Sequence, residues 1–281
     1  MLELVPGDGD TAQLGVAGDT YNTAVYLANA LGPNRVDYIS VLGKDAFSER
    51  ILSRLRGYGI GAARILRHDT KNPGLYAIET DEAGERHFTY WRGASAAREL
   101  FADGFVPDLS GLTHLVYSGI SLAILSAAAR EELFTSLQGF RADGGLVAFD
   151  SNFRPKLWES TATARETTER AWGLCDIALP SLDDEMALFG DADEAAVLAR
   201  FARYDLRQGA LKRGALGPLG LDGGGAGPFP SATVIDSTAA GDSFNAGYLA
   251  ALLTGAEQEE AMRAGHSLAS SVVAKRGAII I

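Results

Sequence analysis

The sequence predicts an α/β fold: a doubly wound, mostly parallel sheet that carries a small β-sheet lid. Two observations predict its general form. From about Leu31 onward, short apolar runs alternate with longer helical patterns, the signature of parallel strands covered by helices on both faces. Around residues 74–91, two strand patterns follow each other with no helix between them, which a doubly wound core does not accommodate.

Each element follows from its residues. Val36–Leu42 reads as a strand and Asp45–Arg56 as a helix. His114–Tyr117 is the next strand, followed by a helix over Ser126–Ala142. Leu146–Asp150 precedes a helix over Ala162–Leu174, and Asp176–Leu179 and Gly209–Lys212 repeat the theme. Gly74–Thr80 and Glu85–Trp91 flank Asp81-Glu82-Ala83-Gly84 as a β-hairpin with a four-residue turn. With Leu2–Val5 and Gln13–Val16 it is expected to form the separate sheet, which suits a lid over a ligand; an edge hairpin with only structural duty is the alternative. The expected organisation is one domain over 1–281, with lid segments at about 2–18 and 73–96. Gly223–Pro228 reads as a surface turn between two strands.

The 281 residues, 47% of them hydrophobic, suffice for one large core with a small appendage. A net charge of −11 argues against a nucleic-acid backbone or an anionic membrane as partner. No stretch approaches the roughly 20 apolar residues of a membrane span, and the N-terminus lacks a signal-peptide pattern. The lone Cys175 reads as a small buried hydrophobe, and a reducing, cytoplasmic setting is expected. His68, His87 and His114 show no metal-ligand spacing and read as structural, while Walker A, Rossmann and zinc patterns are absent.

The strongest chemical signal is Val234-Ile235-Asp236-Ser237-Thr238-Ala239-Ala240-Gly241-Asp242-Ser243-Phe244-Asn245-Ala246-Gly247. It reads as an apolar strand end, then small residues, then a helix to about Leu253. Small side chains at a helix entrance let backbone N–H groups approach an anion, and the helix dipole favours it. Asp242, at the same spot, could take a proton from an attacking hydroxyl. Plain N-capping is the structural alternative.

This segment resembles the D-T-x-G-A-G-D signature of the ribokinase-like (PfkB) carbohydrate kinases, matching at Asp236, Ala240, Gly241 and Asp242. It departs at Ser237, and at Ala239, where the family usually has Gly. Val16–Ala24 is similar to the family's first signature, with Ala17 replacing the first Gly of its pair; there Gly18, Asp19 and Asn22 would contact sugar hydroxyls. Leu42–Phe47 matches the family's G-x-D-x-F turn, and Leu211–Gly217 resembles its nucleotide-side K-x-G-x-x-G loop. The resemblance implies ATP as phosphoryl donor, with Ser181, Lys212, Gly214, Gly217 and His266 on the nucleotide side. It also implies that Asp242 is the base and that the Ala239–Asp242 amides form the anion hole.

Tyr90–Ala96 and Asp150–Trp158 each place an arginine, Arg92 and Arg154, where an α/β sheet presents its ligand crevice or on the lid above it. A neutral sugar has no need of guanidinium groups, whereas a sugar acid pairs with them in a fork geometry. Both segments resemble the 2-keto-3-deoxygluconate kinases within the family, which implies that Gly18, Tyr76, Tyr90, Arg92, Ile120, Arg154 and Asp242 face the sugar acid. The family often carries N-x-x-E near Mg2+. The matching stretch is Ser181–Asp184, so Asp184 either holds a magnesium-bound water or is an ordinary helix-dipole partner. Relatives open with a core strand ending in Gly-Glu before the segment equivalent to Met1–Val5, and they continue past the equivalent of Ile281. On that ground a catalytically weak sugar-acid binding protein stands as an alternative, beside a fructokinase or ribokinase. The lid's edge leads us to expect a homo-oligomer.

Overall fold

In the computed structural model, which describes residues 1–7, 9–80, 86–225 and 227–281, the chain falls into two units. Met1–Asp108 with Leu125–Ala129 form the first, and Leu109–Ile124 with Arg130–Ile281 the second. The first unit runs β1 (Leu2–Pro6), β2 (Ala12–Val16), α1 (Asp19–Leu31), β3 (Ser40–Leu42), α2 (Ala46–Gly57), β4 (Ile65–Arg67), β5 (Leu75–Thr80) and β6 (Arg86–Trp91). Its four-stranded sheet has the order β2-β1-β5-β6, as the early segments and the hairpin predicted. The expected turn at Asp81–Gly84 lies outside the described residues. Pairing sets Glu3 beside Tyr76, and Tyr76 beside Tyr90, so these three share one face of the sheet.

Helix α1 is enclosed on all sides from Tyr21 to Ala28, the polar Asn22 and Thr23 included. Helix α2 instead buries a stripe of Ser48, Ile51, Leu52 and Leu55. Asp45 caps it, accepting from the amides of Phe47 and Ser48 at 2.9 and 3.0 Å. The Gly43–Phe47 turn thus has a structural duty of its own, and a Cβ at Gly43 would lie 2.3 Å from the Lys71 carbonyl. The expected strand Val36–Leu42 is shorter than predicted. Only Ser40–Leu42 pairs, in parallel with β4, while Asp37 makes a single bridge to Gly61 and spends its carboxylate on Arg64.

The second unit contains β7 (His114–Ser118), α3 (Gly119–Ile124), most of α4 (Ala127–Ala142), β8 (Leu146–Asp150), α5 (Thr161–Gly173) and β9 (Ile177–Leu179). It continues through α6 (Leu182–Phe189), α7 (Glu194–Phe201), β10 (Gln208–Leu211), β11 (Leu219–Gly220), α8 (Ala240–Leu253) and α9 (Gln258–Val273). The sheet order is β11-β10-β9-β8-β7, parallel except for β11. A parallel sheet covered on both faces buries consecutive residues; Val147, Ala148 and Phe149 of β8 do this. A ladder of rings, Tyr117–Phe149–Trp172–Phe201, with centroids 4.5–5.0 Å apart, carries the core from sheet to helices. Cys175 is buried, and burial pushes its thiol pKa up.

Two expectations fail here. Val234–Ile235 is not a strand; both side chains are exposed, and the Ile235 and Asp236 amides donate to the Val273 carbonyl at the end of α9. The Gly223 region has a strand only on its N-terminal side. A tight turn follows β11, with the Gly220 amide donating to the Gly224 carbonyl at 2.7 Å, and no strand follows among the described residues. Helices α8 and α9 cross through glycines: a Cβ on Gly247 would meet the Ala264 carbonyl at 2.8 Å, and one on Gly265 the Phe244 carbonyl at 2.9 Å. Among the described residues, no helix is long and apolar enough to cross a membrane.

Candidate active site

The start of α8 is shaped by its own turn. Asp236, almost fully buried, accepts from the Thr238 amide and hydroxyl at 3.0 and 2.7 Å through one oxygen, and from the Gly277 amide at 2.7 Å through the other. This ties the turn to the segment after α9. Ala239 occupies the N-cap in the left-handed region, φ 61°, and offers no side-chain cap. The first amides of α8 therefore have no side-chain acceptor from the N-cap, and that of Ala240 donates to the Ser237 carbonyl at 3.2 Å. Asp242 lies in the first turn, half-buried. The N-cap position belongs to Ala239, so simple capping does not account for Asp242.

Beneath this turn lies a polar cluster that sequence reasoning missed. The Lys212 ammonium donates to Asp150 at 2.6 Å and to Asn245 at 3.1 Å, and all three side chains are largely buried. A Cβ on Gly241 would stand 3.8 Å from the Lys212 nitrogen, so the cation sits next to the backbone at the start of α8. Asp150 closes β8, Lys212 follows β10, and Asn245 comes from α8. Apolar strands that end in a charged residue were the available signal.

Beyond Asp150, the chain turns through Asn152 in a left-handed conformation, φ 32°. The Ser151 hydroxyl accepts from the Ser181 amide at 2.9 Å and donates to Asp184 at 3.3 Å; the Phe153 amide donates to the same Asp184 oxygen at 3.2 Å. The other Asp184 oxygen faces the Arg154 guanidinium at 3.7 Å. Burial first, and then the Asp150 charge, hold the Asp184 pKa above the usual carboxylate range, against the pull of Arg154. Ile120 lies half-buried on α3.

The residues expected on the nucleotide side fall into two groups. Ser181 sits at the N-cap of α6 and bridges to Lys212, whose ammonium is turned toward Asp150 and the α8 start. Gly214 and Gly217 both have positive φ, 55° and 76°, and a Cβ on Gly217 would strike the Phe229 ring at 2.3 Å. Phe229 in turn packs on His266 with ring centroids 4.7 Å apart, and a His266 ring nitrogen is 3.0 Å from the Pro230 carbonyl. Phe229, between two prolines, escaped the sequence reading.

In the first unit, Gly18 precedes α1 with φ 154°, a backbone only glycine adopts readily. Its amide donates to the side-chain Oδ1 of the buried Asn22 at 3.4 Å, and Asp19 begins the helix. The Tyr76 hydroxyl donates to Glu3, a partner sequence reading missed. The Tyr76 and Tyr90 rings lie 5.8 Å apart, and Arg92 stacks 4.2 Å over Tyr90.

Comparisons with known proteins agree on the kinship. The pattern of the pfkB family carbohydrate kinases matches residues 3–281. The chain is 41% identical over 292 aligned residues to a 2-dehydro-3-deoxygluconokinase of Escherichia coli K12, covering all of this chain and 94% of that protein. It is 36% identical to one from Haemophilus influenzae, covering 94% and 87%. Among solved structures, a PfkB protein from Polaromonas sp. JS666 is similar with a TM-score of 0.82 and 26% identity, over 96% of this chain and 91% of that one. The matched pattern spans both units and includes the α8 start with its Asp242, so this chain belongs to the pfkB family of carbohydrate kinases.

Proposed function

We propose that the protein transfers a phosphoryl group from ATP to the terminal hydroxyl of 2-keto-3-deoxygluconate, giving the 6-phosphate. The observation that carries this reading is the α8 start. An uncapped helix N-terminus, a half-buried carboxylate in its first turn and a buried ammonium meet there. The relatives named 2-dehydro-3-deoxygluconokinase supply the substrate class.

Asp242 removes the proton from the attacking hydroxyl. The Ala239–Asp242 amides take up charge on the transferring group, and the Lys212 ammonium adds positive potential behind them. The Gly214–Gly217 loop and His266, joined by Phe229, suit the nucleotide base and phosphates. For the sugar acid, the second unit offers Arg154 and Ile120, and the first offers Gly18, Asp19, Asn22, Tyr76, Tyr90 and Arg92.

No group of three or more acidic, His or Cys side chains that could cage a metal occurs among the described residues. Magnesium typically binds through one or two carboxylates plus waters and phosphates, a mode that Asp184 fits. When bound, the ion would neutralise nucleotide phosphate charge. We further propose a cytoplasmic setting, with a small-molecule acid rather than a polyanion as partner, in keeping with the −11 charge. We also propose a homo-oligomer, supported by the exposed Phe88, Tyr90 and Trp91 on strand β6 at the edge of its sheet.

A coupled ATP assay comparing 2-keto-3-deoxygluconate with fructose and ribose tests the reading. Turnover is expected with the keto-deoxy acid far above either neutral sugar. Equal or greater turnover of a neutral sugar would overturn the substrate assignment.

A further inference from the structure

Arg154 is the residue assigned above to the sugar carboxylate, yet it already faces a carboxylate. Its Nη1 lies 3.7 Å from Asp184 Oδ1 and donates to the Phe153 carbonyl at 2.9 Å. The two partners are unequal. The Asp184 side chain is 20% exposed and is anchored through Oδ2 by Ser151 and the Phe153 amide, while the Arg154 side chain is 54% exposed. The carboxylate is therefore the fixed member and the guanidinium the movable one. At 3.7 Å the contact is an ion pair without a hydrogen bond, easily traded for a bidentate one.

Resting on the assignment of Arg154 to the sugar acid, we propose that Asp184 is a built-in competitor for that arginine. It holds the guanidinium when no substrate is bound, and the substrate carboxylate must displace it. The exchange has a direction. An arriving carboxylate gains the fork geometry that Asp184 lacks, and Asp184 is left facing Asp150 with one cation fewer. That uncompensated charge is of the kind a magnesium-bound water answers. A neutral sugar has nothing to offer Arg154 and leaves the pair closed. Asp184 thus acts as a specificity-determining residue: it makes release of the metal-side carboxylate conditional on an acid in the site.

The test is a double-mutant cycle read by calorimetric titration with 2-keto-3-deoxygluconate, without nucleotide or magnesium. Asp184→Asn keeps an acceptor for the Phe153 amide and removes the competing charge. Partly exposed pairs of this kind hold their arginine only modestly, so Asp184→Asn should tighten sugar-acid binding about two- to fivefold. Arg154→Ala should weaken it by at least about thirtyfold. In the Arg154→Ala background, Asp184→Asn should change nothing. If Asp184→Asn has no effect, or weakens binding, while Arg154→Ala still weakens it, the competition is refuted. Equal tightening in both backgrounds would reduce the effect to through-space repulsion and also refute it. If Arg154→Ala leaves sugar-acid binding intact, the assignment of Arg154 itself fails, a result distinct from the other two.

Discussion

Replacing Lys212 by methionine removes one partner of a buried pair while keeping most of the side-chain volume. The Lys212 and Asp150 side chains are 12% and 9% exposed and meet at 2.6 Å, so water cannot readily replace the lost ammonium. An exposed pair would be worth at most about 1 kcal/mol. Leaving a buried carboxylate unanswered typically costs about 3–5 kcal/mol, and the loss of the Asn245 hydrogen bond adds to it. Lys212→Met should therefore lower the unfolding free energy by about 3–5 kcal/mol. Adding Asp150→Asn removes the stranded charge and should recover a large part of that loss. Urea unfolding followed by tryptophan fluorescence measures both. A single-variant loss below about 1 kcal/mol, or a double variant no more stable than the single one, would refute the view that this cluster is a desolvated ion pair.

Asp242→Asn preserves shape without basicity, so kcat should fall by roughly 10²–10⁴ while sugar-acid binding changes little; near-normal turnover would remove Asp242 as the base. Ala239→Gly relieves a left-handed alanine, φ 61°, and should raise stability by about 0.5–1 kcal/mol in thermal unfolding, with no gain counting against strain at this turn. Glu185 is fully buried against Arg200 at 2.8 Å, and burial raises its pKa to about 7. With the folded pKa above the unfolded one, the folded state holds the extra proton, and stability from this group falls as pH rises from about 4.5 to about 7. Glu185→Gln lacks that loss, so its Tm relative to the unaltered protein should improve between pH 5 and pH 8; a flat or opposite difference would contradict the shift.

Local signals were legible where one interaction decides the outcome. Leu146–Asp150 is read to the residue because an uninterrupted apolar run in a parallel sheet ends at a charge. The hairpin partners β5 and β6 follow from two strand patterns with only a short turn between them. Val234–Ile235 carries the same apolar, β-branched signal, but its amides go to a carbonyl at the end of α9 instead of a sheet. Nothing local distinguishes the two cases. Helices α6 and α7 are only eight residues each, too short for periodicity to stand out. In the site, Asp242 and the glycine turn are readable because they lie together in the chain. The Lys212–Asp150 pair joins residues 62 positions apart, and such a pairing follows from sheet order, which no motif spells out. Lys212, read as a nucleotide contact, donates to Asp150 and to Asn245 of α8.

The glycine crossing of α8 and α9 has a consequence for how errors spread. Gly247 meets only the backbone of Ala264 and Gly265, and Gly265 meets the Phe244 carbonyl and its buried ring, so little at the junction can move to absorb a misfit. Asp242 rides on the helix that contains Gly247, and His266 directly follows Gly265, so the proposed base and the ring packed on Phe229 are indexed to one pivot. A methyl group inserted at either glycine would act as a wedge between rigid rods. Its damage would register at both positions together, as a shift in alignment, even where the melting temperature moved little.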